Sequence, residues 1–221
     1  MHLTVIAKEP RPGFVKTRLC PPCTPQQAAD LATAALADTL DAVNEVAKHL
    51  DGAVQRVLLF DGDSRPWRGD GYHALAQRGD GLAERLANAF DDLGPGIVIG
   101  METPQAVASL VGGFAALERG CDTLGLAVDG GYWAIGLHQV DPRALSAIPM
   151  SASHTGLAQL SRLYQLGRST RLLPMARDLD TIDDVVAASR RDRGSRLTET
   201  ARATLMALSR DRPSSAGRRA G

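Results

Sequence analysis

Residues 2–19 read HLTVIAKEPRPGFVKTRL. The opening of this stretch, His2 to Ala7, is a short apolar run containing Val5 and Ile6 that ends at a polar loop, the pattern of a buried strand. The remainder, Lys8 to Leu19, carries the cations Lys8, Arg11, Lys16 and Arg18 together with Gly13, Pro10 and Pro12. Beyond it, Thr24 stands before Pro25 as an N-cap stands before proline at a first helical position. Ala29, Ala32, Leu36, Leu40, Val43, Ala47 and Leu50 then recur at helical steps. Strand, cationic loop and amphipathic helix in that order open a β–α unit.

Outward from this unit the same rhythm repeats. Val54 to Phe60 reads as a second strand, and Asp61 to Gly71 as a Gly- and Asp-rich loop. Leu82, Leu86, Phe90 and Leu93 mark a helix that stops at Gly94-Pro95-Gly96, followed by a short buried strand over Ile97 to Ile99. Val107, Leu110, Val111, Phe114 and Leu117 predict the next helix. Thr123 to Val128 and Tyr132 to Leu137 are strand-like runs broken by Asp129-Gly130-Gly131, either a hairpin or one kinked strand. A helix over His154 to Leu166, a strand near Arg171 to Leu173, and helices over Ile182 to Ser189 and Leu197 to Leu208 complete the chain. This alternation predicts an α/β fold with a mostly parallel central sheet and helices on both faces. It reads as a single domain over 1–210, with a Ser-, Arg- and Gly-rich tail over 211–221 expected to be disordered.

Composition narrows the partners. The 221 residues fit one α/β domain, and 44% apolar against 23% charged is an ordinary globular balance. Twenty-five basic residues offset twenty-five acidic ones, so no global field attracts nucleic acid or an anionic membrane, and any anion binding is local. No run approaches the ~18 apolar residues of a spanning helix. A polar loop reached by Lys8 leaves no room for a signal peptide, so a cytoplasmic protein is expected. Cys20 and Cys23 form a C-x-x-C, but the intervening residues are Pro21 and Pro22 and there is no second pair; they read as incidental thiols, and Cys121 as a core or strand-edge thiol. His2, His49, His73 and His138 read as surface or capping residues. His154 is kept as a candidate because it opens a helix after Ser151-Ala152-Ser153, where a phosphate or acceptor contact is available. Trp67 and Trp133 are candidates for lining a ligand face.

In open α/β sheets ligands bind beyond the carboxyl ends of the strands. Four loops there carry chemistry. The first, Lys8 to Leu19, offers cations and backbone N–H groups suited to a pyrophosphate, although it is neither a Walker A loop nor Gly-x-Gly-x-x-Gly; a solvated basic loop is the rival reading. The second is Gly100-Met101-Glu102-Thr103-Pro104, where Glu102 can hold Mg²⁺ or Mn²⁺ against phosphate oxygens, while Thr103 can simply cap the following helix. The third, Asp129-Gly130-Gly131-Tyr132-Trp133, allows close backbone approach to a ligand, with Asp129 placed to orient a sugar hydroxyl or a metal-bound water, or else forms a tight turn. In the fourth, Asp178 to Asp184, a helix cap accounts for Asp180 or Thr181 and for Asp183, leaving Asp178 as a second metal ligand.

Taken together these loops resemble the bacterial DUF2064 proteins, described as candidate glycosyltransferases of the nucleotide-diphospho-sugar transferase (GT-A) superfamily. The resemblance runs through Ala7-Lys8, Pro10, Pro12-Gly13 and Val15 to Leu19, then Gly79 to Ala89, then Asp129 to Tyr132 with Ile135-Gly136-Leu137, and Asp178 to Thr181 with Asp183-Asp184. It implies a Rossmann-like GT-A sheet, a divalent metal (Mg²⁺ or Mn²⁺), and a nucleotide sugar or nucleoside triphosphate with a small-molecule acceptor. Carried onto these motifs, it implies nucleotide or diphosphate binding by Ala7, Lys8, Arg11, Gly13, Lys16, Arg18 and Gly81. It further implies a metal carboxylate at the position of Glu102; the placement of the other loops adds Asp178 and Asp180 as candidate metal ligands, Asp129 as the candidate catalytic base, and Gly130, Gly131, Tyr132 and His154 as the candidate acceptor side. One departure matters: the family usually has Gly-Ser-Asp-x-Pro where this chain has Gly100-Met101-Glu102-Thr103-Pro104. The extra methylene of Glu102 displaces the carboxylate by roughly 1 Å, a shift that can cost about 100-fold in rate. A second departure is Met150, near which the family usually has Trp. Glycosyl transfer, nucleotidyl transfer and nucleotide binding without turnover all follow from this set.

Overall fold

The first strand, β1 (His2–Lys8), is buried along nearly its whole length, as an apolar run with no alternating polar face requires. It pairs in parallel with β2 (Gln55–Asp61) on one side and with β4 (Gly96–Gly100) on the other. In this computed structural model, which describes residues 1–191 and 194–210, β3 (Tyr72–Ala76), β5 (Asp122–Ala127), β6 (Tyr132–Leu137) and β7 (Thr170–Ala176) complete one seven-stranded sheet, ordered β3-β2-β1-β4-β6-β5-β7. Only β6 runs antiparallel to its neighbours. The chain therefore leaves β1 in one direction to build β2 and β3, and the order reverses at β4. That reversal is the switch point where open α/β sheets form a crevice.

The helices are α1 (Pro25–His49), α2 (Gly81–Leu93), α3 (Leu110–Glu118), α4 (Thr155–Gln165), α5 (Ile182–Ser189) and α6 (Arg196–Arg210). At the start of α1, the Gln27 N–H donates to Thr24 Oγ1 at 3.2 Å and the Thr24 N–H donates to Gln27 Oε1 at 2.8 Å, a reciprocal cap that fixes the helix at the predicted residue. Helices cover both sheet faces. Leu86 and Phe90 of α2 and Leu163 of α4 share a core with Val98, Leu124 and Ile135, while Gly113 of α3 packs close to Ile97 and Thr123, the neighbours of Val98 and Leu124 that point the other way.

Of the two readings open for Asp129-Gly130-Gly131, the hairpin is the one formed: the run joins β5 to antiparallel β6. β3 had no sequence signal: of its five residues only Tyr72 is buried. The helix predicted over Val107 to Leu117 divides into a 3₁₀ segment, Pro104–Ser109, and α3. The tail over 211–221 lies outside the described residues.

Where the sequence reads as one domain over 1–210, the packing separates two compact units. The first comprises Met1–Glu9 and Ala35–Asp178 and contains the whole sheet; the second comprises Pro10–Ala34 and the chain from Leu179 onward. No helix among the described residues is long and apolar enough to cross a membrane.

Candidate functional site

The parallel strands bring Lys8, Asp61, Gly100 and the ends of β5 and β7 to one edge of the first unit. Around β1, β2 and β3 this edge is closed by a polar network. Gln77 Nε2 donates to the carbonyls of Ala7, at 2.7 Å, and Leu59, at 3.1 Å. Arg85 Nη1 donates to Gln77 Oε1 at 2.7 Å and to Asp61 Oδ2 at 3.2 Å. The Glu9 N–H donates to Asp61 O at 2.9 Å, and Glu9 Oε2 accepts the Asp63 N–H at 3.3 Å. Ala7 is thus buried with its carbonyl engaged, whereas Lys8 is exposed. Gly81 opens α2 at φ 84°, with no atom beyond its own turn within 4 Å of the position a Cβ would take; at this helix end Glu84 Oε2 accepts the Asp80 N–H at 2.9 Å. Gln77, Arg85 and Asp61 were not singled out from sequence, although Arg85 lies inside the Gly79 to Ala89 motif.

The loop after β4 crosses toward β7. Gln105 Nε2 donates to Arg177 O at 3.1 Å, tying the segment that carries Glu102 to the one that carries Asp178. Both carboxylates are half-buried. Pro104 takes the first position of the 3₁₀ segment as expected, but Thr103 does not cap it. Its hydroxyl is buried and has no hydrogen-bond partner among the described residues.

At the β5–β6 turn, Asp129 Oδ1 accepts the Gly131 N–H at 2.9 Å, so the turn reading holds. Asp129 itself is exposed, and among the described residues no cation pairs with it. The glycines serve the fold. The Gly156 N–H donates to Gly130 O at 2.8 Å. A side chain at Gly130, where φ is 92°, would collide with the Ser153 backbone, and one at Gly156 with Gly131 O. Close approach between the turn and the start of α4 thus accounts for Gly130 and Gly156, while a side chain at Gly131 would lie 3.2 Å from Asp129 Oδ1, within its own turn. Tyr132 is half-buried, its hydroxyl pushed to higher pKa by burial and lying 4.0 Å from Met150 Sδ. His154 is exposed at the N-cap of α4 and does not cap it through its side chain. Trp133 is buried, with Nε1 donating to Pro174 O at 3.0 Å, and lines no ligand face. His2 is likewise no surface residue: it is buried in β1, with Nδ1 2.7 Å from Thr4 Oγ1 and Nε2 3.1 Å from Gly94 O.

In the second unit, Lys16 has left-handed backbone, φ 52° and ψ 35°, and a side chain only 5% exposed. Its Nζ pairs with Asp180 Oδ1 at 2.8 Å, and Arg18 Nη1 pairs with Asp180 Oδ2 at 3.0 Å. Burial pushes the Asp180 carboxyl up, but Lys16 and Arg18 outweigh it and hold the group below its ordinary range. Asp184 accepts the N–H groups of Asp180 at 3.1 Å and Thr181 at 2.7 Å and completes the cap of α5. The cap is thus Thr181 with Asp184, and Asp180 is committed to cations rather than to a metal. Arg11 lies over the Phe14 ring, 4.8 Å from its centroid. Cys20, Cys23 and Cys121 are free thiols. Burial, with Cys20 nearby, pushes the Cys23 thiol up, as suits an incidental rather than a reactive group.

Residues 23–152 match DUF2064, described as an uncharacterized protein conserved in bacteria, over more than half of the chain. The chain belongs to the DUF2064 family. Among solved structures, a candidate nucleotide-diphospho-sugar transferase from Desulfovibrio desulfuricans G20 is 23% identical and superposes with a TM-score of 0.76 over 95% of this chain and 98% of that one. The DUF2064 chain thus has the fold of that protein, the Rossmann-like GT-A sheet expected from its motifs. A looser likeness, at 14% identity and a TM-score of 0.46 over 84% of this chain and 95% of the other, is to a CMP:2-keto-3-deoxy-manno-octonic acid synthetase complexed with CTP. No curated protein matches the chain.

The divalent metal implied for DUF2064 proteins can be tested against the donors present. No group of three or more His, Cys, Asp or Glu residues among the described ones could hold a metal ion on its own. Glu102 and Asp178, on tied loops, are two oxygen donors. Mg²⁺ is commonly held by one or two carboxylates with substrate phosphates and water supplying the rest. The donors therefore fit a metal that arrives with a phosphorylated substrate and do not fit a pre-formed three-carboxylate cage.

Proposed function

We propose that this DUF2064 chain is a transferase that takes a nucleotide-diphospho-sugar donor and passes the glycosyl group to a small-molecule acceptor. The observation that carries the reading is the Gln105–Arg177 hydrogen bond, which joins the loops of Glu102 and Asp178 at the carboxyl edge of the sheet. Glu102 and Asp178 would hold Mg²⁺ or Mn²⁺, which when bound neutralises charge on the diphosphate. In glycosyl transfer negative charge grows on the departing diphosphate as the glycosidic bond breaks, and fixed groups aimed at that charge lower the barrier. The exposed ammonium of Lys8 and the backbone of Gly81, at the N-terminus of α2, are assigned to that task. Asp129 is assigned as the base that accepts the acceptor hydroxyl's proton: one oxygen is fixed by the Gly131 N–H, which orients the carboxylate, and among the described residues no cation competes for it. Tyr132 and His154 are assigned to the acceptor side. Within the second unit, Arg11, Gly13 and Arg18 are assigned to anion contact.

Nucleotidyl transfer is the weaker reading. The acidic stretch that suggested it is spent, Asp180 on Lys16 and Arg18 and Asp184 on the cap of α5. The test is incubation with Mg²⁺ or Mn²⁺ and a panel of sugar nucleotides and nucleoside triphosphates, with the released phosphate species measured. Nucleoside diphosphate supports glycosyl transfer, pyrophosphate supports nucleotidyl transfer, and tight binding without turnover marks a non-catalytic protein in which Glu102 has cost the activity. Absence of nucleotide binding by calorimetry, with and without metal, overturns all three.

A further inference from the structure

At the opposite edge from the carboxyl ends, the first unit contains a cavity of about 740 Å³ between the last turns of α1 and the amino ends of β2 and β3. Its walls include Asn44, Lys48, Gln55, Arg56, Tyr72 and His73. Arg56 is half-buried there and held in place from three sides. Its Nη1 donates to Asn44 Oδ1, its guanidinium carbon sits 5.2 Å from the Tyr72 ring centroid, and Gly71 leaves the room its Nη2 occupies, since a side chain at Gly71 would collide with it. The ring beneath is itself fixed, because Tyr72 Oη donates to Leu40 O at 3.0 Å. None of these partners carries a negative charge, and among the described residues Arg56 makes no ion pair. The exposed carboxylate of Asp41 acts on the Tyr72 ring as well, but the groups that touch Arg56 directly are neutral, which leaves its guanidinium fork able to meet an arriving anion.

We propose that this cavity binds a small hydroxylated molecule bearing a single oxyanionic group, a carboxylate or a phosphate, clamped by Arg56. A guanidinium fork matches two oxygens of either group, and the volume falls in the range of small-molecule sites. Lys48, which also pairs with Glu45 at 2.6 Å on the exposed face of α1, and His73 stand at the same wall, and the Gln55 amide is available to a hydroxyl. Asp51 is the one carboxylate lining the cavity. It opposes a ligand of higher charge, which separates this site from one for a nucleotide diphosphate. The inference is independent of the proposed transferase activity.

The test is a heteronuclear NMR titration of the full chain with glycerol phosphate and, separately, with glycerate; the two arms distinguish phosphate from carboxylate recognition. Saturable shifts in the amides of residues 47–56 and 70–73 with either probe are expected, with a Kd on the order of 1 mM. Arg56→Gln keeps a donor for Asn44 and should weaken binding about tenfold or more, the loss expected for a charge-assisted contact. Lys48→Glu reverses an exposed charge and should weaken binding even if Arg56→Gln fails to fold. No saturation by either probe up to about 20 mM, far beyond that Kd, overturns the proposal. So do shifts confined to other residues, or an affinity unchanged in Lys48→Glu or in folded Arg56→Gln.

Discussion

Lys16 combines a conformation that few non-glycine residues adopt with a buried ammonium, and both are sustained by Asp180. A left-handed φ of 52° costs energy that surrounding contacts must offset. An ammonium only 5% exposed needs its carboxylate, which is 27% exposed. Removing one partner leaves the other incompletely paired, so Lys16→Ala should lower unfolding free energy by about 1–3 kcal/mol, a figure reduced from that of a fully buried pair because Asp180 still reaches water. In urea denaturation, Lys16→Ala combined with Asp180→Asn should recover part of that loss. Weakened nucleotide binding at unchanged stability would instead assign Lys16 to the ligand. Asp129 makes the opposite demand. It is exposed and its amide would keep an acceptor for the Gly131 N–H, so Asp129→Asn should melt within a few degrees of the parent chain. Glu102→Gln should weaken Mn²⁺ binding in the presence of nucleotide, and Asp129→Asn should lower turnover by about 10²–10⁴ with binding intact, the usual contribution of a general base. Equal losses of binding and turnover in Asp129→Asn would remove it from the base role.

The β5–β6 hairpin and α4 form a tight junction near the proposed acceptor side, because two glycines, Gly130 and Gly156, let backbone meet backbone. Gly130→Ala must either change φ from 92° or push Ser153 away. It should cost at least about 2 kcal/mol by thermal or chemical denaturation, as substitutions at strained positive-φ sites do; a neutral outcome would mean that the junction yields. This junction also marks the limit of what the sequence shows. Strands buried on both faces, such as β1 and β4, announce themselves as apolar runs, and helices with caps, such as α1, announce their first residue. β3 does not, because an edge strand paired on one side buries little and Tyr72 alone cannot make a pattern. The loops carrying Glu102, Asp129 and Asp178 were readable because each follows a strand. What those loops touch was not: that Gly130 answers to α4, that Asp180 answers to Lys16, and that Gln77 bridges Ala7 to Arg85 are facts of tertiary contact with no local signature.

At the scale of the whole molecule, stability is linked to pH through a residue at the end of the sheet remote from the candidate site. His2 lies in β1, an interior strand, its ring 5.5 Å from that of Phe90 and tilted 58° to it, and burial lowers its pKa from 6.5 to about 4. The Gly94 carbonyl works against that shift and is overcome. In the unfolded chain the imidazole takes up its proton near pH 6.5, whereas in the folded chain it stays neutral until about pH 4. Between those values the unfolded state binds more protons, so stability falls as pH falls through the window, by up to about 3 kcal/mol. Asp180 acts in the same direction but lower, because a carboxyl held below its ordinary range contributes stability that is lost only as pH drops through the carboxylate range. The two contributions are therefore separable. His2→Gln retains a donor for the Gly94 carbonyl and carries no titrating group. Its melting temperature should decline less steeply than that of the parent chain between pH 6.5 and 4, while the two chains should fall together below that. Parallel slopes across the upper window would locate the proton uptake at another residue.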